Sequence, residues 1–374
     1  MEYFGKHVWN RDNRHTLEAL QELKADAPDE EIRRKVLHNW DNVAKPIDGM
    51  GRFEELTAQI GAVCGTEKID IARKAVIIMC ADNGIVEENI SQSGQEVTLA
   101  VVKNMAEKKS SVGRMAEKIG ADTIPVDIGI NCREKIPGVL DRKIRCGTGN
   151  FMKEPAMTQE EAVRAVFTGI EIVSDCKKKG YNILATGEMG IGNTTTSSVV
   201  AAALLGLNAE EVTGRGAGLD DERFLHKREV IAGALDKYGL WGRQIKGAEA
   251  LWILQNVGGL DIGALAGVCI GGALFHVPVV LDGVISMTAA LLAERMVPGT
   301  RAYLIPSHMG KEPALGRILE ALEMRPVIDG EMALGEGTGA VMMLALLDMA
   351  LAVYRDSTTF SDIQIEKYER YKKG

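Results

Sequence analysis

Five short, unbroken apolar runs punctuate this chain: AVIIMC (75–80), TIPVDIGI (123–130), NILAT (182–186), VPVVLDG (277–283) and AYLIP (302–306). A strand with one wet face alternates apolar and polar residues, whereas a continuous run of this length reads as a strand buried on both faces. Segments of helical periodicity separate the runs. They are predicted at 15–24, 29–40, after the Pro/Gly loop of KPIDGMGRFEELTAQIGAV (45–63), and at 96–118, 158–180, 194–205, 221–238, 242–256, 261–275, 286–296, 311–323 and 338–354. The clearest is 158–180, where Thr158 and Glu161 have capping-box spacing and a Lys-Lys-Lys-Gly run closes the segment. Buried strands alternating with helices imply an α/β fold, a mainly parallel sheet covered on both faces. The first 65 residues read as helical and, with 341–374, are expected to form a small helical lobe beside a large α/β domain at 66–340. The polar tail QIEKYERYKKG (364–374) is expected to be an exposed helix.

Composition enters mainly by exclusion. Lys and Arg number 44 against 52 Asp and Glu, a net charge of −8, and no basic block is present. With aromatics at 5%, neither a phosphate-tracking surface nor a base-stacking platform is indicated, so no nucleic-acid partner is expected. No two of the six cysteines are spaced as CxxC, and several lie in apolar segments. Reduced thiols in a cytoplasmic protein are therefore expected rather than a zinc ribbon or redox dithiol. The N-terminal stretch MEYFGKHVWNRDNRH has no apolar core of a signal peptide. Ile262 to Leu281 is long enough to be weighed as a membrane span, but HVPVVLDG reads as a loop entering a strand. A buried Gly/Ala-rich helix followed by a buried strand is expected there, with no membrane association.

Four loops could carry chemistry. Thr186-Gly187-Glu188-Met189-Gly190-Ile191-Gly192-Asn193-Thr194 follows one buried strand and precedes a helix. Its glycines let backbone approach a ligand, and the helix N-terminus offers N–H groups to an anion such as a phosphate. The spacing is neither GxGxxG nor GxxxxGK[ST], so it equally describes a tight strand–helix turn. Leu334-Gly335-Glu336-Gly337-Thr338-Gly339 sets one carboxylate among glycines before a helix, a general-base candidate or an acid at the helix's positive end. Thr213-Gly214-Arg215-Gly216 leads to Asp220-Asp221-Glu222 and then Lys227, which could reach an anion or merely be solvated. The acids suit the first turn of a helix, and with no apolar strand directly before them they do not read as a metal–diphosphate site. The fourth loop follows Ala81-Asp82-Asn83-Gly84, where open α/β sheets bind ligands, and runs through Ser91-Gln92-Ser93-Gly94-Gln95. His308, also just after a strand, is a lone histidine with no hydrolase motif around it.

Taken together, KPIDGMGRFEELTAQIG (45–61), ADNGIVEENISQSGQEVT (81–98), GEMGIGNTTT (187–196), GRGAGLDDERFLHK (214–227), VGGLDIGALAG (257–267), VVLDGVIS (279–286), SHMGKEP (307–313) and LGEGTGA (334–340) resemble one family. It is the nicotinate-nucleotide–dimethylbenzimidazole phosphoribosyltransferase family of cobalamin lower-ligand activation. The resemblance implies a Rossmann-like three-layer sandwich with a small helical lobe, working as a homodimer. It implies transfer of the 5-phosphoribosyl group of nicotinate mononucleotide to 5,6-dimethylbenzimidazole or a related base, giving α-ribazole 5′-phosphate and nicotinate, without metal or cofactor. Glu336 matches the general base and Glu188 a second carboxylate. Gly190, Gly192, Asn193, Thr194, Lys227 and Gly335 match the nucleotide and phosphate side, and Ser91, Ser93 and Gln95 the base side. The rival expectations are transfer to a non-benzimidazole base, or a Rossmann-like nucleotide-binding oxidoreductase, against which the missing GxGxxG speaks.

The chain departs from the family's usual pattern at four places. Asn83 stands in ADNG where ADHG is common, Ser93-Gly94 replace an aromatic–proline pair, Gly310 replaces a serine, and Ala333 replaces an arginine. The Ser93-Gly94 change is expected to give a roomier, more adaptable base pocket.

Overall fold

The computed structural model describes residues 2–4, 7–9, 15–216, 218–242, 245 and 247–370. In chain order the strands are β1 (Glu2–Phe4), β2 (His7–Trp9), β3 (Lys74–Ala81), β4 (Asp122–Gly129), β5 (Leu140–Asp141), β6 (Ile183–Met189), β7 (Val279–Leu281), β8 (Leu304–Pro306), β9 (His308–Gly310) and β10 (Ile328–Met332). The helices are α1 (Leu17–Gln21), α2 (Glu30–Asn42), α3 (Arg52–Cys64), α4 (Glu96–Ala106), α5 (Ser111–Lys118), α6 (Gln159–Lys178) and α7 (Asn193–Leu205). They continue with α8 (Ala209–Val212), α9 (Asp221–Lys237), α10 (Ala248–Val257), α11 (Leu260–Leu274), α12 (Val284–Met296), α13 (Ala314–Ala321) and α14 (Thr338–Asp356).

All five apolar runs became strands of one sheet, ordered β5-β4-β3-β6-β7-β8 and parallel throughout. The central strand β3 shows why its run had to be continuous. Ala75, Ile77, Met79 and Ala81 enter one core with α6, α7, α11 and α12, while Val76, Ile78 and Cys80 enter the opposite core with α3, α5 and α14. Strand side chains alternate by two, so a strand between two cores buries both sets and reads as a continuous apolar run. Helices on both faces confirm the three-layer α/β expectation.

The apolar stretch weighed as a membrane span is the wholly buried α11 followed by β7. Its glycines have a packing reason. A Cβ on Gly267 would lie 1.9 Å from the Val166 carbonyl, and one on Gly169 2.0 Å from that of Ala264, so α6 and α11 cross backbone against backbone. Among the described residues, α14 is the one helix long and apolar enough to cross a membrane; half of that stretch is buried in the protein.

Several expectations are corrected. Residues 2–4 and 7–9 pair as antiparallel strands rather than forming helix, as their aromatic and β-branched content favours. The segment 96–118 is two helices, because Lys108 takes a left-handed φ of +56° and the Ser110 side chain caps a fresh start at Gly113 N–H. The helix expected from 242 begins at Ala248; residues 243, 244 and 246 lie outside the described ones. The tail holds no helix over 365–370, where the Arg370 guanidinium instead pairs with Asp41 and Asp48; 371–374 lie outside the described residues. The pair β9–β10, parallel and separate from the main sheet, was not anticipated.

Candidate active site

The carboxyl ends of β6, β7 and β8 open into a cleft of about 270 Å³. Its wall includes Ser91 and, from the loop after β6, Glu188, Gly190, Gly192, Asn193 and Thr194. Lys227 from α9 and Gly335 and Glu336 before α14 complete the predicted set in that wall. The structure thus brings nine of the eleven predicted residues together. Ser93 and Gln95 do not line this cleft. The Gln95 amide is engaged beside it, donating to the Asn83 carbonyl (3.3 Å) and accepting from Asn131 Nδ2 (2.9 Å).

On the β6 side, Gly192 precedes α7 in the left-handed region, φ +92°, and no side chain caps the helix. A 13-residue helix therefore turns an uncapped N-terminus to the cleft, an arrangement that attracts anions. Lys227, fully buried, reaches the same place and donates from Nζ to Thr194 Oγ1 at 3.0 Å. Burial pushes its ammonium down to about 8, against a weaker opposing pull from Glu312. The Glu312 carboxylate accepts from Gly216 N–H at 3.0 Å and packs against Gly214, holding the loop after α8 over the cleft.

The acidic side faces this anion site. Burial raises the Glu188 carboxyl to about 8, opposed by the hydrogen bond from Asn193 and reinforced by nearby Asp261 and Asp282. The Asn193 amide nitrogen donates both to Glu188 and to Asp261 Oδ2 (3.2 Å), and burial likewise lifts Asp261 to about 6. The backbone at Glu336 comes close enough to the Glu188 carboxyl to oppose its rise slightly. Glu336 itself takes a left-handed φ of +62° between Gly335 at +83° and Gly337 at +100°. Its Oε2 accepts from Val112 N–H at 3.0 Å, in the first turn of α5. The break that divided the predicted 96–118 helix thus supplies a donor to the candidate base.

Three residues, two lining the cleft and one buried behind it, escaped the sequence reading. Asp282, buried at the end of β7, and Ser286, whose buried hydroxyl has no hydrogen-bond partner, both lie in the quoted VVLDGVIS segment but were given no role. Asp261, in VGGLDIGALAG, reaches Glu188 only through Asn193. The acid inside the apolar run 277–283 was the available signal for Asp282. His308, read as a lone histidine, lines the cleft, its Nδ1 2.9 Å from Ser307 Oγ and 4.0 Å from Asp282 Oδ1.

Comparisons with known proteins agree with one another. A family model described as phosphoribosyltransferase matches residues 25–365. A protein of Ruminiclostridium cellulolyticum named nicotinate-nucleotide–dimethylbenzimidazole phosphoribosyltransferase is 43% identical over 339 residues, spanning 91% of this chain and 95% of its own. One of the same name from Acetivibrio thermocellus is 40% identical over 354 residues, 95% of this chain and 98% of its own. The crystal structure of CobT from Thermus thermophilus superposes with a TM-score of 0.84 at 36% identity, covering 90% of this chain and all of that one.

Proposed function

Because the chain belongs to the nicotinate-nucleotide–dimethylbenzimidazole phosphoribosyltransferase family, we propose that it moves the 5-phosphoribosyl group of nicotinate mononucleotide to 5,6-dimethylbenzimidazole or a related lower-ligand base. Nicotinate leaves, and the product is α-ribazole 5′-phosphate. The observation that carries the reading is the meeting of Glu188, Glu336, Lys227 and the start of α7 in one cleft.

Lys227, Thr194 and the N-terminus of α7 with Gly190 and Gly192 hold the 5′-phosphate. Glu336 takes the proton that the attacking benzimidazole must shed; general-base assistance of this kind contributes about 10²–10⁴-fold. The departing pyridinium nitrogen leaves neutral and needs no acid. The cationic pyridinium of bound nicotinate mononucleotide draws the proton from Glu188, which burial raises to about 8 in the free protein; as a carboxylate beside the Glu336 loop it then stabilises positive charge developing at the ribose C1′. Attack from the face opposite nicotinate inverts C1′ and gives the α-linkage. Ser91 lies at the acceptor side, with Ser93 and Gln95 behind it.

The reading extends to a cytoplasmic homodimer. Supporting it are six unpaired cysteines, as a reducing compartment keeps them, and two exposed methionines on α14, Met342 and Met349, with the half-buried Leu346 between them. The small lobe proposed at 1–65 and 341–374 is continuous with the large domain, because its α3 and α14 cover one face of the main sheet. Incubation with nicotinate mononucleotide and a panel of lower-ligand bases, with nicotinate release followed by chromatography, tests the activity. Glu336→Gln should bind the nucleotide yet turn over about two to four orders of magnitude more slowly. Light scattering of the eluted protein tests the dimer.

A further inference from the structure

Glu336 stands in a backbone conformation that side-chain-bearing residues rarely adopt, at φ +62°. Such a conformation persists only when its surroundings over-determine it. The bond from Val112 N–H to Oε2 fixes the far end of the side chain. What fixes the backbone is Asp282. Its Oδ2 accepts from Gly337 N–H at 3.0 Å, and its Oδ1 from Gly339 N–H at 2.8 Å and Ala340 N–H at 3.2 Å. These are the residue after Glu336 and the opening N–H groups of α14, which has no cap from its own N-terminal residues.

Asp282 is held from the other side too. Its N–H donates to Thr186 Oγ1 (3.2 Å), and that hydroxyl donates to the Val280 carbonyl (3.3 Å). Thr186 lies two residues before Glu188 on β6. One covalent and hydrogen-bonded path therefore runs from Glu188 through Thr186 and Asp282 to Gly337 and Glu336. The carboxylate is 2% exposed, and His308 is the imidazole against it, at 4.0 Å.

We propose that Asp282 is the positioning residue of the Glu336 loop: a buried carboxylate that gathers three backbone N–H groups and so sets the reach of Glu336 into the cleft. This rests on Glu336 as the base. Asp282 needs no contact with substrate to act. Without its charge the loop keeps its sequence but loses its common acceptor, and Glu336 drifts from the acceptor nitrogen. Misplacement by about 1 Å costs on the order of a hundredfold in rate.

The test uses the full-length protein. In Asp282→Asn, kcat is expected to fall about a hundredfold while KM for nicotinate mononucleotide stays within about threefold, because the phosphate site lies elsewhere in the cleft. Hydrogen exchange at the amides of 337–340 should accelerate selectively. In Asp282→Ala, added formate should restore part of kcat, since Asp282 borders the cleft and a small carboxylate can enter the space left. If Asp282→Asn fails to fold, the formate response of Asp282→Ala or Asp282→Ser decides. Wild-type kcat in a folded Asp282→Asn, or a lost kcat that formate leaves untouched in both smaller variants, overturns the proposal. A parallel Glu336→Gln arm separates the two readings: an active Glu336→Gln removes the base itself, whereas an inactive one beside a fully active Asp282→Asn removes only the positioning role.

Discussion

The carbonyl oxygen of Glu336 rests against the α-carbon of Gly187, where a Cβ would lie only 2.4 Å away. Gly187 sits in β6 immediately before Glu188, so the two candidate acids belong to segments in backbone contact. This packing explains a glycine inside a buried strand, where the residue is otherwise unfavourable.

Gly187→Ala should therefore displace the Glu336 loop. The neighbouring oxygen belongs to backbone and cannot rotate away. Turnover is expected to fall by at least about tenfold, with nucleotide affinity changed far less. Steady-state kinetics beside a direct binding titration check this; equal losses in both would mean that the strand end as a whole has moved.

Lys227 should make phosphate binding depend on pH. Burial lowers its ammonium to about 8 in the free protein, so it is charged below that pH and neutral above it. Nicotinate mononucleotide affinity should weaken as pH rises through about 8. Lys227→Ala should lose about ten- to a hundredfold at pH 7, the worth of a charge-assisted hydrogen bond, and lose this limb of the profile. Titration calorimetry across the range, repeated in Glu188→Gln to remove the second group that titrates near 8, reads the effect.

Glu188 makes a claim on stability. Its folded-state pKa is raised, from 4.5 to about 8, so the native state binds the proton more tightly than the unfolded chain. The associated stability is fully present below about 4.5 and is lost as pH climbs to about 8. Glu188→Gln, neutral throughout, should lack that loss. The melting temperature of the variant relative to wild type should rise between pH 5 and about 8; a constant difference would contradict buried protonation.

The acceptor loop should govern base choice. Ser93 and Gly94 replace the family's aromatic and proline, and Gln95 is tied to Asn83 and Asn131 rather than turned into the cleft. Wild type is expected to discriminate modestly among 5,6-dimethylbenzimidazole, 5-hydroxybenzimidazole and benzimidazole, since one methylene in an apolar pocket is worth about 1–3 kcal/mol. Ser93→Tyr should shift the ranking. Paired competition assays measure both; an unchanged order in Ser93→Tyr would show that the loop is not the selector.

The sequence by itself determined the layers and the cast of the site. An apolar run such as 75–80 can be satisfied only between two cores, so the five strands and the helices covering them followed from local pattern. Glycine-rich loops marked Glu188, Glu336 and the approach to Lys227, and likeness to a family assigned their roles. What tertiary structure decided was how distant segments meet. The N-terminus of α5, created by a break at Lys108 that helical periodicity did not register, donates to Glu336. Asp282, an acid ending an apolar run, becomes the acceptor of N–H groups 55 to 58 residues away. Asn193, five residues from Glu188, joins it to Asp261 another 68 residues on. Periodicity reports which face of an element is buried, because neighbours along the chain share that face. It carries no information on which backbone N–H a buried carboxylate finds, since that depends on sheet order and on where each strand stops.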